Sequence, residues 1–234
     1  MKHSPCAGDS VGIRTVTTAT GRRLMEMYRC LIGHFGPQHW WPAETPLEIM
    51  IGAILTQNTS WSNVEKAISN LRNHGLISLD RLVSLSNDEL AEYIRPAGYY
   101  NIKAKRLKNL LHLIADEYKG DLTRLFDQET DTIRAELLSV NGVGHETADS
   151  MVLYAANRPL FVVDAYTHRI LSRHDMAPDE ASYHDLQALF MDHLPEDTDL
   201  YNEFHALIVL TGKNFCRKKP LCPDCPLNNW EKAG

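Results

Sequence analysis

Leu138-Ser139-Val140-Asn141-Gly142-Val143-Gly144-His145-Glu146-Thr147-Ala148 is the stretch on which the reading of this chain turns. A helical run from Asp131 to Leu138 stops there, two glycines flank one small apolar residue, and a second helical run goes from Glu146 to Ala156. Gly-Val-Gly permits a tight turn with backbone N–H groups facing outward at the amino end of the following helix. Those amides and the helix dipole can hold a phosphate without any lysine. Alone, the same residues describe a loop with glycines in left-handed conformations, so the surroundings decide.

Both flanks are helical. Arg22 to Phe35 reads as a first helix, and Leu47 to Leu55 is apolar nearly all round, as in a helix buried on every side. Ser62-Asn63-Val64-Glu65 and Ser86-Asn87-Asp88-Glu89 have the form of capping boxes, and Asn101 is placed to cap a helix closed by Gly120. Further helices fit Ala165 to Arg173, Ser182 to Leu194 and Leu200 to Leu210, and only Leu160 to Val163 reads as extended. The fold class is all-α, without a fixed-period repeat.

The 234 residues, 44% apolar and 23% charged, suffice for a real core and include no apolar run of membrane-span length. Met1 to Thr20 lacks the apolar segment of a secretory signal, which points to the cytoplasm. With 24 basic and 30 acidic residues the net charge is −6, which excludes nucleic-acid binding by bulk positive charge. Nine of the acids lie between Asp175 and Glu203, where no Lys or Arg occurs; the rest of the chain, with 24 basic and 21 acidic residues, carries +3.

Two helices joined by such a turn form a helix-hairpin-helix motif, which grips DNA through its backbone and without regard to sequence. Eighteen positions after Glu146, the apolar run Phe161-Val162-Val163 ends in Asp164, which on its own is an N-cap. Together with Ile54-Leu55-Thr56-Gln57-Asn58-Thr59 upstream, the pattern resembles the endonuclease III superfamily of helix-hairpin-helix DNA glycosylases over roughly Trp40 to Cys225. That resemblance implies a two-lobed fold. A six-helix barrel over 46–156 would hold the hairpin, residues 21–45 with 157–234 would form the second lobe, residues 1–20 would be a tail, and Asp164 would face a cleft between the lobes. It further implies a monomer acting on damaged double-stranded DNA, in a bacterial or archaeal nucleoid.

Family members that also cut the backbone carry a lysine in the hairpin helix, whose amine attacks the sugar. Glu146 stands there in this chain, and a carboxylate forms no imine, so the resemblance implies a monofunctional glycosylase with Asp164 as the catalytic group. Trp40-Trp41-Pro42, Trp61 and Arg95-Pro96-Ala97-Gly98-Tyr99-Tyr100-Asn101 look most like the 3-methyladenine branch, which would place Trp40, Trp41, Pro42, Trp61 and Glu146 about the base. Electron-rich rings favour a cationic alkylated purine by about 0.5–2 kcal/mol. The same resemblance sets Gln57, Asn58, Gly142, Val143, Gly144, Thr147 and Lys213 against DNA. Alternatives are a glycosylase for other damaged or mismatched bases and a non-catalytic DNA-binding protein.

Cys216, Cys222 and Cys225 crowd into ten residues and resemble the carboxy-terminal iron–sulfur loop of endonuclease III relatives. A fourth thiolate would fall near Trp230 or Glu231, where none exists, leaving a [4Fe–4S] cluster with another fourth ligand, a zinc site, or a loop without metal. Cys30 reads as a buried small apolar side chain and Cys6 as a tail residue. Lys213, Arg217, Lys218 and Lys219 offer a basic edge to phosphates, and Lys103, Lys105, Arg106 and Lys108 read as a solvated helix face that could also touch DNA.

Overall fold

The computed structural model describes residues 16–228 and 230. Among them there is no strand, and the fold is all-α as expected: α1 (Ala19–Phe35), α2 (Pro46–Leu55), α3 (Trp61–Asn73), α4 (Leu79–Ser84), α5 (Asn87–Tyr93), α6 (Tyr100–Tyr118), α7 (Leu122–Phe126), α8 (Thr130–Ser139), α9 (His145–Ser150), α10 (Ala165–Arg173), α11 (Tyr183–Met191) and α12 (Thr198–Asn214). No described helix is long and apolar enough to cross a membrane. The chain divides into two compact units, residues 41–158 and the remainder.

In the unit of residues 41–158, α2 starts at a Thr45 cap with Pro46 in its first turn, and Met50 to Leu55 are all buried. Its one buried charge, Glu48, is held by Arg72 of α3 at 2.6 Å. The Ser86–Glu89 capping box forms, but the Ser62–Glu65 box does not: α3 begins one residue earlier, at Trp61, so Ser62 lies inside the helix. Asn101 is likewise not a cap, because α6 starts at Tyr100 from a left-handed Tyr99.

The basic run on α6 is only partly a solvated face: Lys105 is exposed, but two of its lysines turn inward. Lys103 is buried and its ammonium donates to the carbonyls of Leu55 and Ala97, both at 2.8 Å. Lys108 is buried too and donates to Leu82, Val83 and Leu85 at the end of α4. Helix ends leave carbonyls without intrahelical donors, and a cation there satisfies them and complements the dipole. Burial, with help from Arg106, pushes the Lys103 ammonium down to about 8.

The other unit packs α1 and α10 against α12. Leu160 to Val163 is a buried extended segment; Gln187 of α11 donates to the Phe161 carbonyl at 2.7 Å, and the Phe161 and Phe190 rings stack at 3.7 Å. Tyr166 of α10 lies where a side chain at position 212 would sit, so only glycine admits this approach of α10 to α12.

The two helices of the hairpin are latched. Arg134 of α8 donates to both carboxylate oxygens of the fully buried Asp149 of α9, at 2.6 and 3.2 Å. Removing one member of a largely buried pair leaves the other charge uncompensated. Asp149→Ala is therefore expected to cost about 3 kcal/mol in denaturant unfolding; a loss below about 0.5 kcal/mol would remove the latch from this account.

Candidate nucleic-acid interface and reactive carboxylate

α8 runs to Ser139 and α9 begins at His145 with Gly144 as its N-cap, where no side chain bonds to the helix end. Gly142 has φ +99°, and a Cβ there would overlap the stem of Arg106, so glycine is required twice over. Gly144 has ordinary extended backbone and open space where a Cβ would be. Between them, the Val143 side chain is buried and its N–H donates to the Val140 carbonyl at 3.0 Å.

Gln57 serves this turn as a strut. Its amide nitrogen donates to the Gly142 carbonyl at 3.1 Å and to the Thr147 hydroxyl at 3.0 Å, and its oxygen accepts from Arg106 at 2.6 Å. Asn109 donates to the Asn141 carbonyl at 3.0 Å. Gln57 and Thr147 are thus joined to each other inside the unit, while Asn58 beside them is exposed with a left-handed backbone. Past the turn, α9 gives way to a π-helical turn, Met151–Ala155, where an unbroken α-helix was expected. Ser150 bonds back to the Glu146 carbonyl at 2.7 Å, and the Ala156 N–H reaches Met151.

The tryptophans divide. Trp41 and Trp61, both half-buried, meet edge to face at 5.0 Å, and the buried Tyr154 of the π turn lies 5.2 Å from Trp41, giving three rings in one cluster. The Trp41 indole lies against Gly52, the one position of buried α2 with no side chain, where a Cβ would come within 3.1 Å of the ring. Trp40 is half-buried, and Pro42 and Glu146 are exposed. Tyr99, which sequence reasoning did not single out as a contact residue, holds its ring 71% exposed on left-handed backbone, with Ile102 exposed beside it. Its sequence signals are its place in the Arg95 to Asn101 stretch and the glycine before it.

Asp164 is the N-cap of α10, as the bland reading of its position has it. Its Oδ1 accepts from the Thr167 N–H at 2.7 Å and the Thr167 hydroxyl at 2.9 Å. Its Oδ2 is turned toward His205 Nε2 of α12 at 3.9 Å. His205 is buried, and burial holds its imidazole below its ordinary range against the opposing pull of Asp164. Sequence spacing gave no sign of His205, which stands 41 residues from Asp164.

The cysteine loop is fastened to α10. Arg169 donates to the Cys216 carbonyl at 2.7 Å, and Arg173 reaches the Cys216 Sγ at 3.3 Å and the Arg217 carbonyl at 2.7 Å. Burial raises the Cys225 thiol, and the nearness of Cys216 and Cys222 raises it further, so the three sulfurs share a neighbourhood. Among the described residues no set of three or more His, Cys, Asp or Glu is close enough together to hold a metal ion. At the expected fourth place Trp230 is buried and donates to His174 at 3.1 Å; Glu231 lies outside the described residues. The three cysteines thus share one loop without being drawn together as a ligand set, and no fourth donor stands beside them among the described residues. Cys30 is buried, as expected; Cys6 lies outside the described residues. Lys213 closes α12 and is exposed, as are Arg217, Lys218 and Lys219.

Residues 51–196 match the family described as HhH-GPD superfamily base excision DNA repair protein. A Methanocaldococcus jannaschii protein, provisionally named a DNA repair glycosylase, is 49% identical over 209 residues, spanning 88% of this chain and 94% of its own length. The structure of H. pylori 3-methyladenine DNA glycosylase bound to 1,N6-ethenoadenine is similar with a TM-score of 0.69 at 29% identity, over 84% of this chain and 98% of that one. A trapped endonuclease III–DNA covalent intermediate is similar in fold, with a TM-score of 0.77 at 23% identity over 92% and 99% of the two chains. A family match over more than half of the chain, and a relative this similar along nearly its whole length, come on top of a latched hairpin with an acid-capped helix downstream: the chain belongs to the HhH-GPD superfamily of base excision DNA repair proteins.

Proposed function

We propose that this protein is a monofunctional DNA glycosylase that hydrolyses the N-glycosidic bond of alkylated purines such as 3-methyladenine. The observation that carries the proposal is the divided carboxylate of Asp164: one oxygen is spent on Thr167, which fixes the group, and the other is left for chemistry. Glycosidic cleavage builds positive charge on the sugar, which a fixed carboxylate stabilises. The water oxygen bonds to C1′ as the C1′–N bond breaks, and the water proton passes to Asp164 and on to solvent. A purine alkylated at N3 is cationic before cleavage and leaves as a neutral molecule, so the base needs no general acid.

The substrate class is supported by the Trp41–Trp61–Tyr154 cluster, whose ring faces suit a cationic base, and by the likeness to the H. pylori enzyme. Glu146 in place of an amine supports hydrolysis without lyase action. Gly144, Lys213, Arg217, Lys218 and Lys219 would meet phosphates, and the exposed Tyr99 would stack on bases. Cys216, Cys222 and Cys225 would hold an iron–sulfur cluster with a fourth ligand from outside the described residues or from solution, and no catalytic step is assigned to it.

Wild-type protein should release 3-methyladenine from methylated DNA, and Asp164→Asn should slow release by roughly 10²–10³-fold. Borohydride should trap no protein–DNA adduct. Equal rates for the two proteins would overturn the role of Asp164, a trapped adduct would overturn monofunctional action, and release of thymine from a G·T pair or of oxidised pyrimidines instead would overturn the substrate class.

The purified protein should be brown, absorb near 400 nm and contain iron; iron-free, colourless protein of full activity would rule out the cluster. The amides at the hairpin carry no net charge, so the slope of log K against log[salt] should be shallow, and a slope matching about ten phosphate contacts would contradict that mode of binding.

A further inference from the structure

We propose that His205 is a positioning residue for Asp164, holding the free oxygen of its carboxylate in an outward-ready direction. The inference rests on the reading of Asp164 as the reacting group. Three observations carry it.

First, the two oxygens of Asp164 have different surroundings. Oδ1 is held by both donors of Thr167, whereas the near neighbour of Oδ2 is the Nε2 edge of a buried imidazole, 3.9 Å away. That separation exceeds a hydrogen bond, so Oδ2 keeps its capacity to accept from a water while lying in the field of the ring; bonds of this kind are often long before substrate binds. Second, the placement is built into the helix pairing. His205 and Gly212 are seven residues apart on one face of α12, and the bare Gly212 lets Tyr166, two residues past Asp164, lie against it. The same close approach brings the start of α10 over His205. Third, a buried imidazole stays neutral and so presents a ring N–H as a donor rather than a second full charge, which would tie Oδ2 down.

The other titratable groups on the packed elements are engaged elsewhere or exposed. Arg169 donates to Cys216, Arg173 to the cysteine loop, and His168 faces the Asp179 carbonyl. On α1, Arg23 reaches the His174 carbonyl, Arg22, Glu26 and Arg29 are exposed, and Tyr28 is raised by burial and by Glu203 and Asp197. Tyr201, one turn before His205, is pushed up to about 12 by burial and by Glu196, Asp197 and Asp192, so it stays neutral.

The test is the pH profile of single-turnover base release by wild type, His205→Leu, His205→Gln and Asp164→Asn. His205→Leu should be roughly 10–100-fold slower, the size of effect expected from losing a donor to a charged group. Its acid limb should move to higher pH, because the carboxylate loses the polar ring edge that faces it, while affinity for DNA carrying an abasic-site analogue stays unchanged. His205→Gln, which restores an N–H, should recover most of the rate and return the acid limb. A wild-type rate and acid limb in His205→Leu, or a slower rate with an unmoved acid limb, overturns the inference. Full activity in Asp164→Asn would instead break the reading beneath it. Should His205→Leu not fold, the ring 15N resonances of His205 in wild type and Asp164→Asn decide: a clear shift between them supports the pairing, and identical resonances overturn it.

Discussion

The buried ammonium of Lys103 holds the end of α2 to the start of α6, and much of the unit of residues 41–158 depends on it. A chain made of short helices ends often, and each ending exposes carbonyls that nothing inside the helix can satisfy. Here a lysine takes up Leu55 and Ala97, a second lysine takes up the end of α4, and Arg106, one turn along from Lys103, reaches Gln57 and thereby the hairpin. The desolvation cost is visible in the ammonium's lowered proton affinity. That affinity means the folded state is penalised at neutral pH and relieved as pH rises from about 8 toward the unfolded value near 10.5, since over that range only the unfolded chain still holds the proton. The penalty is offset by two buried carbonyls that would otherwise lack a donor.

What could be read from the residues was local. α2 announced itself through a cap, a proline and an unbroken apolar face; the box at Ser86 and Glu89 formed; and α10 begins at the aspartate that closes an apolar run. The Ser62 box failed because a helix takes the first adequate start, and Ser60 stands two residues ahead of it. Lys103 and Lys108 of α6 look solvent-facing in the sequence, as Lys105 is, since their partners are carbonyls 48 and 26 residues away, and a carbonyl has no sequence signature. For the same reason Gln57 could be placed in a motif but not recognised as a strut, and His205 could not be connected with Asp164 at all.

Asp164 shows how one residue can satisfy structure and chemistry together. A cap aspartate has a carboxylate with more acceptor sites than the helix end uses. Thr167 claims one oxygen, so the remaining one comes with its direction already set, and the entropy of holding it was spent when α10 formed. α10 goes on to seat the cysteine loop through Arg169 and Arg173, so a single nine-residue helix carries the carboxylate at one end and the loop at the other.

The π turn after α9 also fixes a direction. Each residue of an α-helix advances by about 100°, so a turn that admits one extra residue rotates everything beyond it by that amount. Tyr154 lies within this turn, and its ring reaches Trp41 in the register the turn provides. Deleting one residue between Met151 and Ala155 would leave composition and hydrophobicity almost untouched and would still allow a regular helix. It would swing the tyrosine about a quarter of the way round the axis, so the aromatic cluster is specified by a residue count as much as by its aromatic residues.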